Sequence, residues 1–325
     1  MATIADVAKA AGVSISTVSY VMSGKRAISR ETRERVEEAI VQLSFSPHAS
    51  ARSLASGSNS VIGLQAPLRP GVDAHVVMEI VAGVVREARS HFYDVLLLTG
   101  DEGEGLERAS KSSLVDALLV MDVAYDDPRI KTLESLRTPA VLIGVPSEDV
   151  AITCVDFDFE AAGALAASRL AELGHRKVAL LGAPAEVIER HTSYAKRLSR
   201  GFARGCETAG IAGSVHPCPA GAEATSVLDT ILSNDADVSA IFVHNEAALP
   251  HIASHVETLA SPPQMIALAP NEFSRNVSGL SDLIDIPAER LGALAAETLW
   301  RLIEDREVSP LTLLKPHLNS QLGAA

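Results

Sequence analysis

Ile15, Ser16 and Tyr20 fall on the first turns of a short predicted helix, and their side chains are of kinds that meet base edges. A hydroxyl bonds several donor and acceptor patterns, an aliphatic chain meets a thymine methyl, and a tyrosine does both. Thr17 stands among them and belongs to the same candidate DNA-contacting set. None of these is the bidentate arginine that grips guanine, so each contact discriminates modestly. Covalent chemistry finds little support elsewhere. The chain has no HExxH, GxSxG, CxxC or Gly-rich phosphate loop, and 100–105 (Gly-Asp-Glu-Gly-Glu-Gly) reads as an acidic loop that repels phosphate. Cys154, Cys206 and Cys218 are spaced for neither a disulfide framework nor a zinc site, and read as small packed residues. No catalytic residue, metal ligand or cofactor is expected, and the chain does not read as an enzyme.

The reading helix needs neighbours to hold it. Thr3-x-x-Asp6 caps a first helix that carries Ile4, Val7, Ala8 and Ala11 at helical spacing and stops at Gly12. Ser14 caps the second, 15–22, after a turn of about three residues, which is the spacing of a helix-turn-helix. Ala8 and Gly12 are small where the helices cross and turn, and Val18 fills the space between them. Ser29 caps a third helix, 30–43, whose Val36, Ile40 and Leu43 close a small core under a solvated Glu/Arg face. A plain helical bundle over 1–45 is the alternative; the coincidence of small residues, both caps and a short second helix favours DNA binding. Residues 46–57, from Ser46-Pro47 to Gly57, make a helix of about two turns, marginal alone, which would fold on DNA with a partner copy. Leu54 at its end is then either an apolar wedge for a minor-groove base step or a linker side chain packed on the next domain.

The chain has 325 residues, 47% of them hydrophobic, which is room for two or three domains. Its net charge of −13 argues against nucleic acid held along its whole length, but residues 1–60 carry +2 and leave −15 to the remainder. Any DNA contact is therefore confined to the N-terminus. The start lacks the layout of a signal peptide and no apolar run is long enough to span a membrane, so a soluble cytoplasmic protein is expected.

From Ser60, strands at 61–64, 95–98, 117–120 and 140–143 with a helix at 78–90 give way to a second unit. There, helices at 161–173 and 198–209 alternate with strands at 178–181, 240–243 and 265–268. Short apolar runs between helices imply parallel sheets covered on both faces, here in two similar lobes with the ligand cleft between them. His175, after a helix-ending Leu173-Gly174, reads as a surface or turn residue. Leu299 and Trp300 in an apolar helix at 291–303 read as core or dimer packing.

Thr3 to Ser19 (TIADVAKAAGVSISTVS), Ser46-Pro47 with Ala51-Arg52-Ser53-Leu54, Ile62-Gly63-Leu64 and 173–182 (LGHRKVALLG) together resemble the lactose-repressor (LacI/GalR) family of bacterial regulators, essentially end to end. The resemblance implies an all-α helix-turn-helix head (1–45), a hinge (46–58) and an α/β effector domain like a periplasmic binding protein (59–325). The latter's doubly wound lobes would be 59–158 with 290–310, and 159–289 with the tail. It also implies a homodimer on a pseudo-palindromic double-stranded operator, with Ile15, Ser16 and Tyr20 as readers, Arg26 and Arg52 on DNA and Leu54 as the wedge. The end at 321–325, without a heptad extension, favours a dimer over a tetramer. In the effector pocket, Arg197 matches a ligand-gripping arginine, though a surface ion pair would also explain it; His191, Ser193, Asn245 and Glu246 fall where relatives contact ligand. Other anchors depart: 267–272 reads Ala-Leu-Ala-Pro-Asn-Glu, a strand ends in Ile143-Gly144, and Val76-Val77 replaces an aromatic pair. A carbohydrate is the implied effector, with a phosphorylated or carboxylated metabolite or a protein corepressor as alternatives. A sugar-binding receptor or an α/β enzyme with an appended head would instead show a secretion signal or a catalytic constellation.

Overall fold

The computed structural model describes residues 2–23, 26, 28–43, 58–66, 68–100, 103–147, 150–274 and 277–320. The hinge expectations, Arg52 and Leu54 included, lie outside them.

In the head, α1 (Ile4–Ala11) begins in a capping box: Thr3 Oγ1 accepts the Asp6 amide at 3.3 Å, and the Asp6 carboxylate accepts the Thr3 amide at 2.8 Å. Gly12 ends it at φ +64°, where a residue without Cβ sits at no steric cost. Ser14 Oγ accepts the Thr17 amide at 3.1 Å and opens α2 (Ile15–Ser23); Ser29 caps α3 (Arg30–Gln42) through the Thr32 amide at 3.3 Å. Val7, Ala8, Ala11, Val18, Val21, Val36 and Ala39 are buried together between the three helices.

The rest is two α/β lobes, each with a six-stranded sheet. The first runs β1 (Val61–Gln65), α4 (Ala74–Ser90), β2 (Asp94–Leu98), α5 (Gly103–Lys111), β3 (Ala117–Val120), α6 (Arg129–Ser135), β4 (Ala140–Ile143) and β5 (Thr153–Phe157). The chain then crosses into α7 (Phe159–Glu172), β6 (Lys177–Leu181), α8 (Ala185–Glu189), α9 (Ser193–Ala209), β7 (Ala212–His216), α10 (Ala224–Asn234), β8 (Ala240–Val243), α11 (Leu249–Val256), β9 (Gln264–Ala269), α12 (Asn271–Ser274) and β10 (Leu280–Asp285). It returns for α13 (Ala288–Ile303) and β11 (Leu311–Leu314), which pairs with β5, and crosses once more so that β12 (Leu318–Ser320) pairs with β10. The first lobe's return thus reaches Leu314, beyond the expected 310. Strand order is β11-β5-β4-β3-β1-β2 in the first sheet and β12-β10-β9-β8-β6-β7 in the second. Among the described residues, the pairings between these strands are parallel except that of β12. Among the described residues no helix is long and apolar enough to cross a membrane.

Both lobes pack one helix pair through glycine. A Cβ on Gly83 of α4 would lie 2.0 Å from the Glu289 carbonyl oxygen of α13, and one on Gly201 of α9 would lie 2.0 Å from that of Glu160 in α7. Backbones this close admit no side chain, so the crossings fix how each lobe's helices sit on its sheet. Trp300 and Leu299 are buried in the first lobe's core, Trp300 against His91 and Tyr93 at 4.5 and 5.1 Å between ring centres.

The structure corrects several expectations. Strands β5, β7, β10, β11 and β12 went unread because they lack unbroken apolar runs: Asp156 lies inside β5, Ser281 and Asp282 inside β10, and β7 is a partly exposed edge. α4 starts at Ala74 rather than 78, because Asp73 Oδ1 accepts the His75 and Val76 amides at 2.8 and 3.3 Å. The acidic stretch 100–105 is not all loop: Gly103 begins α5 with Glu104 in its first turn, where a carboxylate suits the helix dipole. His175 closes the turn after α7, as expected, its amide donating to the Leu170 carbonyl at 3.1 Å, and its ring further bridges Ser239 Oγ at 2.9 Å and Gln264 Oε1 at 2.6 Å.

Candidate functional site

The head presents its reading helix as the cap geometry requires. Ile15 is 51% exposed and Ser16 is also open to solvent. Tyr20 is half-buried, with the Arg26 guanidinium carbon 5.7 Å from its ring centre, a cation–π contact that ties the loop after α2 to the reading face. Thr17 differs from its neighbours. Its hydroxyl lies 2.9 Å from Ser14 Oγ, so it helps hold the start of α2.

The second site is a cavity between the lobes, at the carboxyl ends of the strands, enclosing about 860 Å³ of space that is partly open to solvent. Val76, Val77 and Ile80 of α4, with Ile143, Ile286 and Leu291, give it apolar walls. Asp73, Asp122 and Asp156 reach it from the first lobe; Phe159, Tyr194, His244 and Glu246 come from the second. Asp122 follows β3 in a left-handed conformation, φ +52°, that aspartate tolerates, and its Oδ2 lies 3.1 Å from Arg69 Nη1. Burial raises its pKa against the pull of that guanidinium. Phe159, Tyr194 and His244 form one aromatic cluster, with ring centres 5.2 to 5.8 Å apart.

Electrostatics in the cleft are dominated by burial. His244 is pushed down to about 4 and is neutral at pH 7; its Nδ1 lies 3.3 Å from the Leu268 carbonyl. Glu246 is pushed up to about 7 by burial, with Asp73 adding a like charge, and pairs with no cation among the described residues. Asp156 rises to about 6 because burial outweighs Arg197, which bonds it at 2.5 Å. The free thiols of Cys154, Cys206 and Cys218 are buried and pushed up to about 11, 11 and 12, hence unreactive.

The expected pocket residues take varied places. Glu246 lines the cavity. Arg197 is buried rather than on the surface, and its guanidinium is tied to Asp156 of the cavity wall, with Asp158 at 3.7 Å. Asn245 lines an adjoining pocket, but its side chain is engaged: Nδ2 donates to the Cys218 carbonyl at 2.7 Å and Oδ1 accepts the Ala248 amide at 3.3 Å. His191 and Ser193 latch the lobes together. The Tyr125 amide donates to the His191 carbonyl at 2.7 Å, the Ser193 amide donates to Val123 at 3.0 Å, and Ser193 Oγ donates to Val145. Lys196 adds a cation–π contact, 3.3 Å from the Tyr125 ring centre, across the same seam. Sequence reading missed Asp73, Asp122, Asp156, Phe159, Tyr194 and His244. Asp122 and His244 directly follow or nearly follow parallel strands, which is where such folds place ligand contacts, and that signal was available. At the cleft's edge, the ligating atoms of His75, Glu79 and Glu272 lie within 4.8 Å of one another, His75 pairing with Glu79 and packing edge-on to Phe273.

Comparison with known proteins agrees with both halves of this arrangement. Residues 3–48 match the family model for bacterial regulatory proteins, lacI family, and residues 167–320 match a periplasmic binding protein-like domain. The HTH-type transcriptional repressor PurR of Edwardsiella ictaluri is 31% identical over all of this chain and 97% of its own. Among solved structures, a lac repressor dimer bound to operator and the anti-inducer ONPF superposes with TM-score 0.81 at 23% identity, covering 98% of this chain and 97% of that one. A transcriptional regulator CelR–cellobiose complex gives 0.64 at 23%, covering 98% of both. A capped reading helix in front of a two-lobed cleft, matched along the whole length of a repressor, means that this chain belongs to the lacI family of bacterial regulatory proteins and is a DNA-binding, effector-controlled transcriptional repressor.

Proposed function

We propose that the chain represses transcription as a cytoplasmic homodimer whose two heads read a pseudo-palindromic operator, while a small molecule in the interlobe cavity sets how firmly they hold it. The observation that carries this reading is a cavity walled by both lobes and bordered by the His191–Ser193 latch. A ligand touching both walls favours one lobe arrangement over another, and that differential affinity is the coupling, on the order of 1–3 kcal/mol. A dimer is supported by the edge strand β2, where Leu96 and Leu97 are 37% and 47% exposed, beside Met78 and Val85 exposed one heptad apart on α4. Ile15, Ser16 and Tyr20 read bases, with Thr17 and Arg26 fixing the helix to the backbone; Arg52 and Leu54 complete the contact from the hinge. A small-molecule effector is supported by the ligands named with two structural neighbours, cellobiose and ONPF.

The test is fluorescence anisotropy on DNA from upstream of the protein's own coding region, at fixed salt, with and without candidate ligands. Saturable binding that a scrambled fragment does not compete, modulated by one ligand, is expected. Equal affinity for the scrambled fragment overturns the proposal.

A further inference from the structure

We infer that the cleft takes an organic cation, a protonated amine on an apolar body of about ring size. This rests on the reading of the chain as an effector-controlled repressor and names the class of its effector. Hydrogen-bonding capacity carries the argument. The side chains lining the cavity offer acceptors almost exclusively: the carboxylates of Asp73, Asp122, Asp156 and Glu246. His244 joins them, because an Nδ1–H directed at the Leu268 carbonyl leaves Nε2 as an acceptor. Among the described residues, the Tyr194 hydroxyl is the one side-chain donor in the lining not already engaged. An ammonium brings three donors and no acceptor, which complements such a wall. Each hydroxyl of a sugar brings acceptor lone pairs along with its donor, and only Tyr194 could serve them. A phosphate or carboxylate would meet like charge.

Three of the four carboxylates are already compensated, Asp122 by Arg69, Asp156 by Arg197, and Asp73 by the amides that open α4. Glu246 faces the cavity without a cationic partner among the described residues, and a bound ammonium would supply it. The aromatic cluster of Phe159, Tyr194 and His244 adds π surface for the same cation, while the valine, isoleucine and leucine walls take a hydrocarbon body. One guanidinium near the cleft has buried nitrogens without partners, that of Arg190. It donates to the Pro70 carbonyl at 2.9 Å and its charge acts on Asp122 and Tyr194, but it does not line the cavity.

The experiment is isothermal calorimetry on the full-length protein at pH 8 with three shape-matched probes, cyclohexylmethylamine, cyclohexylmethanol and cyclohexanecarboxylate, and with glucose and glucose 6-phosphate. The amine should bind about tenfold tighter than the alcohol, and the carboxylate should not bind. Glu246→Gln should abolish the preference of amine over alcohol. Wild-type protein provides a second readout that needs no variant: amine affinity should fall between pH 8 and pH 6 as Glu246, facing Asp73, Tyr194 and His244, takes up its proton, while alcohol affinity stays level. Tighter binding of any sugar or anion, an unaltered amine preference in Glu246→Gln, or silence of the amine at millimolar concentration overturns the inference. Operator binding measured in parallel, without ligand and with saturating amine, separates the two readings: its absence in both would count against the repressor, not against the amine.

Discussion

In the head, Ile15 and Ser16 are exposed, on a helix fixed by caps only a few residues away. In the cleft, Asp156, His244 and Glu246 work by being withdrawn from water, and strands distant in sequence bring them together. Exposure leaves the head's groups with ordinary chemistry and makes its affinity depend on ions in solution. Burial shifts the cleft's groups far from their ordinary titration and shields them from those ions. From this contrast we expect one site sensitive to salt and another sensitive to pH.

The largest test of that contrast is ionic strength. Operator affinity should drop by about 10³-fold or more between 50 and 200 mM salt if six or more phosphates are contacted, while affinity for an uncharged cleft ligand changes little. Anisotropy and calorimetry on the same samples would show it, and parallel losses would break the comparison. Next comes Asp156→Asn, which leaves the buried Arg197 charge with only the longer Asp158 contact at 3.7 Å and should destabilise the lobes by about 3 kcal/mol in denaturant titration, leaving the head's own unfolding unchanged. Val18→Ala, at the fully buried centre of the head, should cost about 2 kcal/mol there and weaken operator binding without altering ligand binding.

A smaller effect follows from Glu246. Its pKa rises from 4.5 to about 7 on folding, so between those values the folded chain holds a proton that the unfolded chain has released. Stability from this group is therefore present at low pH and lost as pH rises through 4.5 to about 7. Thermal melts of Glu246→Gln should lack that component; an unchanged pH profile would remove Glu246 from the account of the cleft. Smallest of all, Ser16→Ala should cost about 1 kcal/mol and relax selectivity at one operator position, read by competition with single-base variants.

The head was legible because its determinants are local. Thr3 with Asp6, Gly12, Ser14 and Ser29 each act within four residues, and the structure uses every one as a cap or stop. The alternation of apolar strands and helices likewise exposed two α/β lobes. What pattern reading lost were elements with polar residues inside them, β5 and β10 above all, because Asp156 and Asp282 are buried by neighbours that no local window contains.

Position in the family pattern placed Arg197, His191, Ser193 and Asn245 near the cleft, but proximity is not role. Arg197 meets Asp156, which lies 41 residues earlier in the chain, and that encounter sets its charge beside a buried carboxylate of the cavity wall. Ser193 meets Val145 of the other lobe and becomes part of a latch. The sequence by itself determined the local backbone, through caps, turns and hydrophobic period, and with it the fold and the DNA-reading helix. Tertiary structure alone decided which side chains are free and which are paired, since hydrogen-bond satisfaction and desolvation depend on partners from distant segments. The acceptor-rich chemistry of the cleft exists only once both lobes have closed around it.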